Sequence, residues 1–261
     1  MTVMLYGSDL SSTTLSVALV LWESNVPFEY VYIDMTKYEH KMPEYKEKQP
    51  FGCVPTTTAS LFESRAICRY LCRKYAGRGG RALFPFDDLR AFARAEQGCS
   101  IETTTFDRAC LAIFTERVHK QWQGLPGDGE LYKQAETLLA QKLDVYEKIL
   151  GNQRFMGDDT FTLADLFHVP YASRLKRMSG CDFLESGRWP NVTRWYNEIT
   201  SRPSFQANED GVKAYSQLLM SCYFSVFGMV RVDTVALIGG YCRLSTIDSL
   251  HVTRYAVKLL W

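Results

Sequence analysis

The chain has 261 residues, enough for one large core or two modest ones. Its net charge of +1 argues against binding nucleic acid or a membrane surface by bulk electrostatics. The composition, 46% apolar and 23% charged, is that of a soluble globular protein. Eight cysteines make no C-x-x-C pair and only four histidines accompany them, so no metal site is expected and the thiols read as free, in a reducing, cytoplasmic protein. The N-terminus lacks the charged region and long apolar core of a signal peptide.

Residues 2–6 form a short apolar run that ends at Gly7, which reads as a buried strand. A cluster of hydroxyls follows, including Ser8, Ser11, Ser12, Thr13 and Thr14. Leu15, Ala18, Leu19 and Trp22 then recur at helical spacing. One hydroxyl of the cluster caps that helix, and another is free for function. Residues 28–34 read as a second strand, parallel to the first through the crossover helix. Glu39, His40 and Lys41 lie in a polar stretch before a short helix at 43–48, and a solvated loop accounts for them equally.

Residues 49–75 carry the densest information. Pro50, Gly52 and Pro55 cluster, with Val54 directly before the second proline, which biases it toward an extended backbone. A cis Val54–Pro55 bond would turn the chain sharply and present the Val54 N–H and C=O to an extended peptide. Glu63 and Ser64 precede a helical pattern over 64–75, so Ser64 sits at a helix N-terminus, where free N–H groups suit a carboxylate. A tight turn and an ordinary helix cap account for the same residues. The element order is βαβ, then ββα.

Gly77, Gly79, Gly80 and Pro85 mark a linker over 77–88. From Leu89 onward the period is helical. Residues 89–122 form one long stretch, and Leu131, Ala135, Leu139, Leu143 and Tyr146 give a second, amphipathic helix. Thr162-x-x-Asp165 is a capping box with a structural role, and Trp189 to Ile199 spacing marks one more helix before Pro203. The expected architecture is an α/β domain at 1–76, the linker, and an all-α domain at 89–210. Residues 211–261 are apolar, without sustained period or caps, and read as an unassigned tail not selected to fold with this core.

Several blocks in this order carry a resemblance: residues 39–41 (EHK), 49–55 (QPFGCVP), 62–70 (FESRAICRY), 161–167 (FTLADLF), and Trp195 with Ser201-Arg202-Pro203. The chain resembles a glutathione S-transferase, nearest the phi-like group of plants and fungi, over about residues 3–208. The resemblance implies a thioredoxin-like domain followed by a helical bundle, usually as a homodimer. It implies conjugation of glutathione, as co-substrate, to an apolar electrophile, with no other cofactor. It puts the cysteinyl backbone of glutathione on Val54, the γ-glutamyl end on Glu63 and Ser64, and the glycyl carboxylate near His40, Lys41 and Cys53. It puts thiolate stabilisation on Ser11, counted from Gly7, with Ser12 as the neighbouring alternative.

Three departures bear on function. The family usually carries Gln at the position of Cys53, whose thiol cannot replace both the donor and the acceptor of an amide, so weaker glutathione binding is expected. The loop 56–60 is short, which predicts an incomplete two-stranded edge. Leu15 and Ser16 stand where an arginine is common in the family. These leave room for a non-catalytic ligand-binding or assembly role, and, ranked last, for thiol transfer through Cys53.

Overall fold

The computed structural model describes residues 2–58, 60–77, 82–215, 236–238 and 241–243. Strand β1 (Val3–Gly7) leads into helix α1 (Ser12–Glu23), which crosses to β2 (Phe28–Tyr32). The two strands are parallel, with Leu5 opposite Tyr30, as a β-helix-β crossover requires. A single 3-10 turn (Glu39–Lys41) and the short helix α2 (Pro43–Lys46) follow. Strand β3 (Thr56–Thr57) then runs antiparallel to β1, giving the sheet order β2-β1-β3. Beyond it, only an isolated bridge between Thr56 and Phe62 remains of a further strand. The short connection at 56–60 leaves no length for a full hairpin. Helix α3 (Ser64–Lys74) completes this half.

Helix α1 is buried more completely than its spacing predicts. Leu15, Val17, Ala18, Leu19, Val20 and Leu21 are all buried. An all-apolar helix needs neighbours on every side. Here α3 packs on one flank, and α9 (Val169–Arg174) and α11 (Pro203–Asn208) on the other. The N-terminus of α1 therefore lies between the sheet half and the helical half.

The helical half starts at α4 (Leu89–Ile101), capped by the Asp88 carboxylate. It continues through a π turn (Glu102–Phe106), α5 (Asp107–Phe114), a second π turn (Thr115–His119) and α6 (Lys120–Trp122). Helix α7 (Gly129–Asn152) returns alongside α5. The expected capping box is present at α8 (Leu163–Leu166). The Asp165 carboxylate accepts from the Thr162 N–H at 3.0 Å, and also from Met156 N–H at 2.7 Å and Trp195 Nε1 at 2.9 Å. These ties fix α8 and α9 against α10 (Pro190–Thr200).

Residues 1–218 cluster as one compact unit and 219–261 as another. The expected tail begins inside the first unit. Val212 N–H donates to the Asp9 carboxylate at 2.9 Å, and the Tyr215 ring packs edge-on against Trp22. Of the remainder, the described backbone is an antiparallel pair, β4 (Ala236–Ile238) and β5 (Tyr241–Arg243). The rest of the expected tail lies outside the described residues.

Candidate functional site

Gly7 ends β1 because α1 approaches it closely. A Cβ there would fall 2.2 Å from Thr14 Cγ2. Ser11 then caps α1 with an extended backbone, its Oγ accepting the Thr14 N–H at 3.1 Å. The Thr13 hydroxyl donates to the Val54 carbonyl at 3.0 Å. A hydroxyl has one proton, so in the 2.8 Å contact between the two side chains Ser11 is the donor and Thr13 the acceptor. Ser11 Oγ thus sits at the positive end of α1 and lines a cleft of about 370 Å³. Ser12 occupies the first helical position, and its Oγ accepts from the Arg174 guanidinium at 3.1 Å.

The opposite rim is the segment around His40, Lys41 and Cys53. His40 is buried, its Nδ1 has no partner among the described residues, and its ring stacks on Tyr38 at 6.1 Å. Burial, and secondarily the Lys41 charge, hold its pKa below the usual imidazole value, so it is neutral at pH 7. Lys41 Nζ donates to the Gly52 carbonyl at 2.7 Å and reaches that of Phe51 at 3.5 Å. Those two contacts leave one of its donors uncommitted. Gly52 has φ +60°, and a Cβ there would lie 2.7 Å from the His40 carbonyl oxygen. Cys53 is exposed. Its N–H donates to the buried Gln49 Oε1 at 3.1 Å and its carbonyl accepts from the Tyr45 hydroxyl at 2.9 Å. The Val54–Pro55 bond is cis. Among the described residues the Val54 N–H has no partner, and it lies on the cleft.

At α3, Glu63 takes φ +68°, unusual for a side chain of its size, immediately before the helix. Ala66 and Ile67 N–H groups bond to its carbonyl, while those of Ser64 and Arg65 in the first turn have no acceptor among the described residues. Arg65 forks onto Glu102 at 2.7 Å and reaches Asp107 at 2.9 Å, fixing the helix start to the first π turn and to α5. Ser11, His40, Lys41, Cys53 and Val54 share the main cleft. Ser64 lines a small adjoining crevice together with Ser12, Thr13 and Tyr171, and Glu63 lines neither.

The far wall comes from the helical half and was not read from the sequence. Phe114, His119, Trp122, Tyr171, Arg174 and Met178 line it. Phe114 packs edge-on to Tyr171 at 5.5 Å, and His119 lies 5.6 Å from Trp122. Burial lowers the His119 pKa, so this wall is aromatic and largely uncharged, with Arg174 as its exception. The spacing of 171, 174 and 178 marks one helical face, but nothing local says that it faces α1. Among the described residues no group of side chains is arranged to hold a metal ion, and no helix is long and apolar enough to cross a membrane.

Comparison with known proteins gives the family to which the chain is similar. The family models "Glutathione S-transferase, N-terminal domain" and "Glutathione S-transferase, C-terminal domain" match residues 10–74 and 107–203. Glutathione S-transferase hmp2 of Hypomyces subiculosus is 39% identical over 223 residues, covering 83% of this chain and 99% of that protein. The crystal structure of glutathione transferase F2 from Populus trichocarpa superposes with a TM-score of 0.73 at 39% identity, over 78% of this chain and 96% of that one. Glutathione S-transferase I from maize, in complex with an atrazine glutathione conjugate, gives a TM-score of 0.71 at 28% identity, over 79% and 96%.

Proposed function

The chain belongs to the glutathione S-transferase family, nearest its phi-like group, and from that membership we propose how its residues conjugate glutathione to an electrophile. The observation that carries the proposal is the hydroxyl of Ser11 at the head of α1, in the same cleft as the unpartnered Val54 N–H.

Glutathione is an extended tripeptide with a carboxylate at each end. Its cysteinyl carbonyl takes the Val54 N–H, as a strand would. The γ-glutamyl carboxylate takes the free N–H groups and hydroxyl of Ser64 at the start of α3, and Glu63 receives the ammonium. The glycyl carboxylate meets the remaining donor of Lys41, with His40 and Cys53 beside it. The sulfur then lies at Ser11. Rotation about one bond turns the Ser11 O–H from Thr13 to the thiolate. Hydrogen bonding to the anion and the helix dipole both lower the thiol pKa from its ordinary value of about 8.5. The thiolate attacks an electrophilic carbon held against the Phe114, Trp122 and Tyr171 rings. One C–S bond forms, and a leaving group departs with its electron pair. The enzyme supplies the ionised nucleophile and its proximity.

The exposed Phe51 ring, packed edge-on against Phe62 at 6.0 Å, offers an apolar surface for a homodimer contact. Six free thiols among the described cysteines accord with a cytoplasmic, reducing setting. The test is incubation of the full chain with glutathione and a chloro-nitrobenzene. Glutathione-dependent release of chloride with thioether formation is expected. Measurable glutathione binding without conjugation would instead make the chain a ligand-binding member of the family.

A further inference from the structure

Arg174, the last residue of α9, is 8% exposed. Its guanidinium donates to the carbonyls of Asp9 at 2.8 Å and Leu10 at 3.2 Å, and to Ser12 Oγ at 3.1 Å. These three acceptors bracket Ser11 in the chain. Among the described residues no carboxylate pairs with this guanidinium, and a buried charge without a counter-ion is costly. Helix α1 has no cation of its own, and its one charged side chain, Glu23, is at the far end.

The other charged and titratable groups nearby do not answer this charge. The Asp9 carboxylate takes its hydrogen bonds from the Tyr30 hydroxyl and the Val212 N–H, gives the guanidinium no ion pair, and attracts it less than Arg177 repels it. Arg177, one turn on, adds positive charge, and Tyr171 beside it stays a neutral phenol because burial raises its pKa. Across the cleft, Lys41 is a further cation, held by the Phe51 and Gly52 carbonyls on the rim proposed for the glycyl end, and His40 and His119 are neutral. Burial lowers the Arg174 pKa to about 10, so it remains protonated at neutral pH.

We propose that Arg174 is a positioning residue for thiol activation, clamping the turn that presents Ser11 and supplying the unpaired positive charge that the bound thiolate answers. This rests on the glutathione reading above. The thiol proton leaves to solvent water, the sulfur keeps the electron pair, and nothing is oxidised or reduced. A cation near an ionising thiol favours the anion, and a fork of N–H donors holds a turn better than an ammonium does.

The test is the pH profile of kcat/KM for glutathione conjugation, with spectroscopic titration of the bound thiol, in the full chain. In Arg174→Gln the apparent thiol pKa is expected to rise by about one unit. The rate falls about tenfold below that pKa and converges with wild type at high pH. Arg174→Lys restores most of the pKa while its KM stays raised. An equal loss at every pH, with the thiol pKa unmoved, would make Arg174 a structural clip and overturn the proposal. Should Arg174→Gln not fold, Arg174→Met removes the same charge while keeping an unbranched buried stem. A raised thiol pKa in the Met variant supports the proposal, and an unmoved value overturns it. A wild-type chain that does not conjugate at all overturns the glutathione reading as well, whereas an active wild type with unmoved variants overturns this inference alone.

Discussion

Ser11 and Thr13 share a hydroxyl-to-hydroxyl hydrogen bond of 2.8 Å, and Thr13 passes its own proton to the Val54 carbonyl at 3.0 Å. The head of α1 is thereby tied to the residue proposed to bind the glutathione backbone. Thr13→Val keeps the shape and removes both bonds. A single such bond is worth about 1 kcal/mol net. The expected result is a kcat/KM for conjugation lower by about fivefold, from the same constant. Steady-state kinetics against wild type check it, and an unchanged rate would show that the tie is incidental.

Gly52 is the position where the rim tolerates no side chain. Its φ of +60° and the 2.7 Å approach of a Cβ to the His40 carbonyl act together. Gly52→Ala is expected to cost about 1–3 kcal/mol of stability, the usual range for such backbone strain. It is also expected to raise KM for glutathione by displacing Lys41 and His40. Denaturant midpoints and KM are the two readings.

Gln49 acts at one remove. Its buried amide oxygen takes the Cys53 N–H at 3.1 Å and so sets the loop that leads into Val54. Gln49→Leu leaves that donor unmatched, at a cost of about 1–3 kcal/mol. Because Gln49 does not line the cleft, KM for glutathione is expected to rise while kcat holds. A fall in kcat alone would place Gln49 in the chemistry instead.

His168 makes the fold acid-sensitive. Its Nδ1–H donates to the Ala164 carbonyl at 2.6 Å, and Nε2 accepts from the Tyr146 hydroxyl at 2.9 Å, so the ring is held neutral. Burial lowers its pKa from 6.5 to about 3. Between those values the unfolded chain binds the proton and the folded chain does not. Stability is therefore intact above pH 6.5 and falls as the pH drops toward 3, by about 1.4 kcal/mol per pH unit from this group. Because the Glu102 and Asp165 carboxyls, whose pKa values burial raises to about 7 and about 6, act in the opposite sense, the reading is the stability of wild type relative to His168→Gln, which should decline in the order pH 7, 6 and 5. A flat series would mean that the ring accepts a proton in the folded state.

Much of the fold is written locally. The sequence 49–55, the hydroxyl cluster before Leu15, and Thr162 with Asp165 each announce a turn or cap within a few residues, because backbone chemistry sets them. The same locality pointed to Val54, directly before Pro55, whereas Ser11 was singled out from its neighbour Ser12 by the family resemblance, counted from Gly7. The aromatic wall was not legible. Tyr171 and Arg174 face the cleft because α9 packs on α1, a contact in which Arg174 meets Ser12 across 162 residues with no local signature, and Phe114 joins them from α5. Burial of His40 and the engagement of Lys41 by the Gly52 carbonyl, 11 residues on, were not legible either, because they depend on how the intervening segment closes. The short edge at 56–60 was foreseen from loop length, and it is reduced to a two-residue strand and one bridge.

The proposed activation of glutathione by Ser11 is tested most directly by comparing conjugation rates of wild type and Ser11→Ala across pH in the full chain. Loss of the hydroxyl donor is expected to lower kcat/KM at neutral pH by about 100-fold, with little change in KM for glutathione, as for removal of one donor to a reacting anion. The apparent thiol pKa should rise toward about 8.5. An alanine variant as fast as wild type, with the same pH profile, would contradict the assignment and move thiolate stabilisation to another group of the cleft.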